Sequence, residues 1–447
     1  MSFLYELSPT QFILLVIGAI VGHLALFLAS RRVNVLYVLA SVVLVLGPFS
    51  GAAELGAEGA GGMFVKWIRG YALVLLLLLG LFKYRRGTLG AASQIWLAFT
   101  AVFVLSAVWS DSLLPALGFK VQFGFVVLAG LLLASTVRDQ EELIRGLRVL
   151  SVAGGLMGFF MFMYFLTHAQ SSLQFGRLVV FGANANRIAI NLGAMLLVCI
   201  YLALNERSAF WKAVAFCCCG TLVTVMTLTG CRGSMAAVVF GFLIQVFPQS
   251  GRRIRVMMLP VFLACVAVIA LNVVEGEADV ARFVSTKDTR SEIWGKAVQL
   301  FKEKPLIGRG FVFSPGGSQR WGMHSIYLQV AVEMGVLGFA GFGVCLALLA
   351  QRGLQSYRSV RRQRILTNLG ILPLSLVAAS LFYGLVTTMP LNPSPFAMLM
   401  AMGIGLMDRF PRFAILERRR TLRRMAYEYA RRRLLKIGGL GSPEGAR

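Results

Sequence analysis

Charge is scarce in this sequence. Asp, Glu, Lys and Arg make up 14% of its 447 residues against 57% hydrophobic, and the mean hydropathy is +0.75, which excludes a water-soluble globular chain. Carboxylates are scarcest, 19 Asp and Glu against 44 Lys and Arg, and no Asp-x-Asp cluster falls on the loops assigned below to the outer face. Histidine occurs only at His23, His168 and His324. Six of the seven cysteines (Cys199, Cys217, Cys218, Cys219, Cys265, Cys345) lie inside apolar runs and Cys231 at the edge of one, so neither a disulfide framework nor zinc spacing follows. The Cys217 to Cys219 triplet reads as small apolar helix packing rather than a metal site. Barrel-type alternation and internal repeats are both missing, and no small-residue cleavage site follows the first apolar run.

Long apolar runs are abundant instead. They lie near 10–30, 34–51, 65–82, 91–109, 115–136, 148–167, 185–204, 212–229, 233–248, 256–272, 332–350, 369–388 and 393–407. Each approaches or exceeds the roughly 18 residues that cross a ~30 Å hydrocarbon layer as a helix. Helix is the open choice, because in lipid each backbone group must be satisfied within its own segment. The expected fold is an all-α polytopic membrane bundle of about 12–13 transmembrane helices with one large outer loop containing an amphipathic helix. The expected organisation is a transmembrane domain over 1–407, a catalytic loop over 273–331 within it, and a basic cytoplasmic tail over 408–447.

The formal net charge of +25 suits topology better than nucleic acid, since the basic residues sit in loops and the tail. Arg31 and Arg32, Lys83 to Arg86, Arg138 to Arg148, Arg252 to Arg255 and Arg358 to Arg364 fall in alternate connections, which the positive-inside rule assigns to the cytoplasm. The first span then reads as an uncleaved anchor with its N-terminus outside. Arg418 to Arg420, Arg423, Arg424 and Arg431 to Arg433, interspersed with apolar residues, make the tail either an interfacial helix on anionic lipid or a solvated anchor.

The opposite face carries the longest loop, 273–323. Thr289-Arg-Ser-Glu292 is a capping box, and Ile293, Trp294, Ala297, Val298, Leu300 and Phe301 form a stripe until Pro305, so an amphipathic helix is expected there, lying on the outer leaflet. Gly308 and Gly310 bracket Arg309 in a turn, and His324 opens the next span. Cations also cluster at the outer ends of other spans: Lys66, Arg69, Lys120, Arg177, Arg187 and Arg232. Lys120 stands out because it lies inside an apolar run, where a charge calls for a partner or a function. The structural alternative to a functional role is snorkelling to headgroups for Lys66 and Arg69, and pairing with Glu54, Glu58 or Asp111 for Arg177 and Arg232. Guanidiniums gathered where carboxylates are few suit a phosphate-bearing ligand, such as a diphosphate on a lipid carrier. His324 is the histidine placed to take a proton from an attacking hydroxyl. His23 is read as packed mid-membrane and His168 as an interfacial contact.

Several motifs in order resemble the O-antigen ligase and polymerase family. They are Trp109-Ser-Asp111, Phe181-Gly-Ala-Asn-Ala-Asn186-Arg-Ile-Ala189, Leu228-Thr-Gly-Cys-Arg232-Gly-Ser234, Arg290-Ser-Glu-Ile-Trp294 and Lys304-Pro-Leu-Ile-Gly308-Arg-Gly310. His324-Ser-Ile-Tyr327-Leu-Gln329 and Glu333-Met-Gly335-Val-Leu-Gly338 complete the set. His324, Ser325, Gly335 and Gly338 match the family's histidine, small polar residue and spaced-glycine pattern. Ser325 replaces the commoner asparagine, and Cys231 and Asn184 depart from the serine and glycine usual nearby. The resemblance implies transfer of a glycan from undecaprenyl diphosphate on the periplasmic face of the bacterial inner membrane, without metal or nucleotide. It implies His324 as base and Arg232 and Arg290 on the diphosphate. Arg177, Arg309 and Lys120 join the candidate diphosphate set, with Asn186, Trp294, Tyr327 and Glu333 supporting. The expected partners are the undecaprenyl diphosphate-linked glycan, a lipid A-core or growing glycan acceptor and membrane lipids, with no nucleic acid. A polymerase using the same donor is the alternative. A lipid-linked glycan flippase or transporter is the other, although such proteins place ionisable groups near the midplane, often in repeated halves.

Overall fold

The computed structural model of the chain describes residues 34–47, 60–84, 89–168, 172–174, 177–180, 185–246, 289–312, 322–362, 371–385, 387–388 and 391–438. His23 and the expected spans 10–30 and 256–272 lie outside these residues, as does much of the long loop. The helices are α1 (Val35–Leu46), α2 (Ala60–Lys83), α3 (Ala91–Leu105), α4 (Leu113–Ser135), α5 (Gln140–Thr167) and α6 (Ala185–Asn205). They continue with α7 (Ala209–Leu228), α8 (Arg232–Val246), α9 (Thr289–Glu303), α10 (Ile326–Arg362), α11 (Ile371–Tyr383) and α12 (Pro395–Gly438). A 3-10 turn, Ser106–Trp109, follows α3.

Among the described residues six helices are long and apolar enough to cross a membrane: α3 with its 3-10 turn, α4, α5, α6, α7 and α10 as far as Arg358. α1, α8 and α11 are shorter apolar helices. Phe82, Leu105, Phe216, Val223, Leu337 and Val344 point outward from the helices. Such an apolar exterior is a liability in water and ordinary in lipid. The architecture is the expected all-α polytopic bundle. Among the helix ends that depart from the apolar runs are those of α5 and α12. α5 starts at Gln140 because the Asp139 carboxylate accepts from Glu142 N at 3.0 Å and caps it. α12 is one helix of 44 residues, running through Pro411 and across the end of the last apolar run.

α4 packs on α12 through small residues. A Cβ on Gly130 would lie 2.2 Å from the Met398 carbonyl oxygen, and one on Gly405 would lie 2.6 Å from the Ala134 Cβ. Close backbone approach of this kind supplies dispersion contact where no hydrophobic effect operates between helices in lipid.

Helix ends define two faces. On one, Asp408 of α12 accepts from Ala92 N (3.1 Å), Ser93 N (2.9 Å) and Ser93 Oγ (2.7 Å), capping α3, and Arg409 donates to the Val137 carbonyl after α4. Asn34 before α1 accepts from Lys83 at the end of α2 (3.0 Å) and donates to Glu142 at the start of α5 (3.4 Å). Arg148 makes a two-pronged pair with Glu206 between α6 and α7, at 2.8 and 2.9 Å. Among the described residues, Lys83, Arg148 and Arg409 thus share one end. Burial alone would raise the Glu206 carboxyl, but Arg148 and the backbone N–H groups of Ser208 and Arg207 more than offset it, leaving the group below its ordinary value. A depressed carboxylate stabilises the fold above its unfolded pKa and loses that contribution as pH falls through the folded one. Glu206→Gln is therefore expected to lower the melting temperature at neutral pH, with the gap to wild type closing as the medium is acidified below about pH 4. A gap that persists undiminished would count against the pair.

Candidate active site at the opposite end

α10 is not one continuous helix. Gly335 sits at φ 65°, ψ −168°, a conformation open in practice to glycine alone, and breaks it near its start. The two helical bonds that would run from Val336 N to Val332 O and from Leu337 N to Glu333 O are replaced by four to the segment 305–310. Val332 O and Glu333 O accept from Arg309 N and Gly310 N, both at 2.9 Å. Val336 N and Leu337 N donate to Pro305 O (2.7 Å) and Leu306 O (3.2 Å). A broken helix at membrane depth is tolerated only when its freed backbone groups find such partners. Gly308 and Gly310, both at φ 73°, allow the close approach: a Cβ on Gly308 would meet Glu333 C at 2.4 Å. The Trp109-Ser110 turn clamps the same segment, with Ser110 Oγ donating to Phe311 O at 3.0 Å. Three motifs far apart in sequence therefore form one backbone knot.

Below the knot lies a buried ion pair. Lys120 Nζ of α4 is 3.3 Å from Glu333 Oε2 of α10, both side chains 0% exposed. Lys120 also donates to Ser106 Oγ and lies 4.5 Å from the centre of the Phe103 ring. Gln329, one turn before Glu333, donates to Glu333 Oε1 and accepts from Met323 N at 3.2 Å. The next residue, His324, is exposed and adopts φ 53°. The structure thus gives the out-of-place lysine its acidic partner inside the bundle rather than at its surface. Removing one member of a buried pair leaves the other charge uncompensated, at about 3–5 kcal/mol, whereas removing both charges is far milder. Lys120→Met is expected to destabilise by that order and Lys120→Met/Glu333→Gln to recover most of it, measured by thermal unfolding in detergent. Equal stability of the single variant and wild type would contradict the pairing.

The second group of cations gathers at the turn between α7 and α8. A two-stranded antiparallel hairpin, β1 (Leu173–Gln174) and β2 (Arg177–Leu178), fills part of the α5–α6 connection, with Leu178 buried beneath it. Arg177 Nε donates to Thr229 O (2.9 Å) and its terminal nitrogen to Asn186 Oδ1 (2.6 Å). Both acceptors are neutral, so they hold the guanidinium without cancelling its charge. Asn186 is in the first turn of α6, and Arg232, exposed, is the first residue of α8. The two groups of residues meet through α11. Ile326 N, two residues after His324, donates to Gly384 O at 2.8 Å, and the hydroxyl of adjoining Tyr383 lies 3.7 Å from Cys231 Sγ, next to Arg232.

Other candidates fall around this frame. Arg290 is in the first turn of α9, and Trp294 is half exposed on that helix, whose Ala297 packs against Met323 and Val332. Arg309 pairs with Glu303 at the end of α9. Tyr327 donates to Leu381 O at 3.2 Å. His168 stacks on Tyr164 with ring centroids 4.7 Å apart and its Nδ1 is 2.8 Å from Thr167 Oγ1, a local contact at the end of α5. Arg69 donates to Pro393 O at 2.9 Å. Among the described residues no three His, Cys, Asp or Glu side chains come together as a metal-holding group.

Residues 217–343 match the family model described as O-Antigen ligase. That stretch is similar to the O-antigen ligase family. It runs from α7 into α10, so Arg232, Arg290, Trp294, Arg309, His324, Tyr327, Gln329 and Glu333 all fall within it. No curated protein matches the chain. The match supports glycosyl transfer of the ligase or polymerase type in general, and the long apolar helices a multi-pass membrane protein. Sequence reasoning left Gln329 and Ser106 without roles. Gln329 and Glu333 stand four apart on one helix face, which was the available signal. Nothing in the sequence pointed to Ser106.

Proposed function

We propose that this protein transfers a glycan from undecaprenyl diphosphate to an acceptor hydroxyl at the periplasmic face of the bacterial inner membrane, with lipid A-core as acceptor. The observation that carries the reading is the O-antigen ligase match over 217–343, which takes in His324, Arg232 and Arg290 together. The exposed imidazole of His324 takes the proton from the acceptor hydroxyl as its oxygen attacks the anomeric carbon. The bond from that carbon to the diphosphate oxygen breaks, and the lipid diphosphate leaves with the bonding pair. Charge developing on the leaving oxygens is stabilised by fixed guanidiniums, which need no reorganisation at the moment of reaction. Arg232 and Arg290 serve the diphosphate directly. Arg177, held by neutral oxygens beside the Arg232 turn, adds its charge to the same field. Lys120 and Arg309, each paired with a glutamate, hold the surrounding structure instead.

The acceptor is tested by incubating purified protein with a defined undecaprenyl diphosphate oligosaccharide, with and without lipid A-core, and weighing the products. Product formed only with the core is expected. Chain extension without it would reassign the protein as a polymerase.

A further inference from the structure

His324 is held in a conformation that its residue type seldom adopts, and the groups that hold it are buried. A non-glycine residue at φ 53° carries strain, which persists only where the surroundings over-determine it. Two anchors flank His324. Behind it, Ile326 N is fixed to Gly384 O and Ser325 O accepts from Gln329 N at 3.0 Å. Ahead of it, Met323 N donates to the side-chain oxygen of Gln329. Gln329 is itself 0% exposed and can accept from Met323 only while its amide nitrogen faces an acceptor, which Glu333 supplies. Glu333 is oriented by Lys120 from α4 and, through its carbonyl, by Gly310 N. An ordered line thus runs from Lys120 through Glu333 and Gln329 to the backbone N–H of Met323, the residue before His324.

We propose that Gln329 is a positioning residue for His324, its amide locked by the Lys120–Glu333 pair so that the strained backbone presents the imidazole to the acceptor hydroxyl. This rests on His324 acting as the base. Gln329 touches no substrate. It acts by fixing a backbone, and a misplacement of about 1 Å at a reacting group can cost on the order of 10²-fold in rate. The charge pair is needed because it dictates which end of the Gln329 amide faces Met323. A hydrophobic pair would pack as well and would not choose.

The test uses the full-length protein in detergent with an undecaprenyl diphosphate oligosaccharide and lipid A-core, and compares wild type, Q329L, Q329E, Q329E/E333Q and H324A. Melting temperature, kcat, KM for the donor and the pH profile of kcat are measured, together with the rate at which diethyl pyrocarbonate modifies His324. Q329L is expected to lose on the order of tenfold to 10²-fold in kcat, with KM for the donor within about twofold and an altered His324 modification rate. Q329E keeps the acceptor for Met323 N but sets two carboxylates together, so its kcat should fall similarly. Q329E/E333Q exchanges amide and carboxylate, preserves every donor and acceptor along the line, and should recover most of the lost rate. Should Q329L fail to fold, Q329E and the exchanged pair decide the matter. Wild-type kcat and pH profile in Q329L or Q329E, or no recovery in the folded double variant, would overturn the proposal. Full activity in H324A would remove the base itself, whereas an inactive H324A beside a fully active Q329L would remove only the role of Gln329.

Discussion

Replacing His324 by alanine is expected to lower glycan transfer by about 10²–10⁴-fold while leaving the folded bundle intact, because a positioned general base contributes a factor of that size. Three features give this expectation its strength. Among the described residues His324 is the exposed histidine, at the end where Arg177 and Arg232 lie, whereas His168 contacts Tyr164 and Thr167. Its backbone is strained, a condition that clusters at functional sites. The alanine side chain removes the imidazole without asking the buried line behind it to move, so melting should change little. The effect should appear in kcat, since the imidazole acts on the acceptor oxygen and the donor diphosphate is held by other residues. A purified His324→Ala protein with more than a few per cent of wild-type turnover would show that the proton leaves by another route.

The second large effect is structural. Gly335→Ala places a Cβ 2.3 Å from the Leu306 carbonyl oxygen and demands φ 65°, ψ −168° of an L-residue. Strain of that kind costs about 1–3 kcal/mol before the clash is counted. The four bonds between the broken helix and residues 305–310 must then stretch or part, which exposes backbone groups that lipid cannot satisfy. A loss of roughly 3 kcal/mol or more, read as a lowered melting temperature in detergent, is expected with impaired transfer. Gly343, in the regular part of the same helix, is the control: a Cβ there meets nothing within 4 Å, so Gly343→Ala should be neutral or slightly stabilising. Equal behaviour of the two substitutions would deny the break its structural importance.

The contrast between those glycines shows where sequence reading reached and where it stopped. The helices were legible because lipid imposes one rule, an apolar run long enough to span, and the runs near 91–109, 115–136 and 185–204 sit within a few residues of α3, α4 and α6. The start of α5 was not, since Gln140 to Leu147 is too polar to count as membrane and is helical because Asp139 caps it. The break at Gly335 was invisible as a break: apolar residues continue on both sides, and only the pairing with 305–310 declares it. Lys120 announced itself as a charge inside an apolar run, but a sequence cannot say which distant acid faces it. Arg177 was found as a cation at an outer end, whereas the hairpin that carries it has strands of two residues, too short for any alternation to register. Local physics, in short, was readable in the chain, and the contacts that assemble the site were made by tertiary packing.

The most direct test of the account is to follow one defined undecaprenyl diphosphate oligosaccharide, in vesicles containing the purified protein and lipid A-core, and to identify every product by mass. The account predicts that free undecaprenyl diphosphate and a new glycosidic bond appear together in equal amounts, and that both vanish in the His324→Ala protein. Movement of the intact lipid-linked glycan across the bilayer, with no bond formed and none broken, would contradict it.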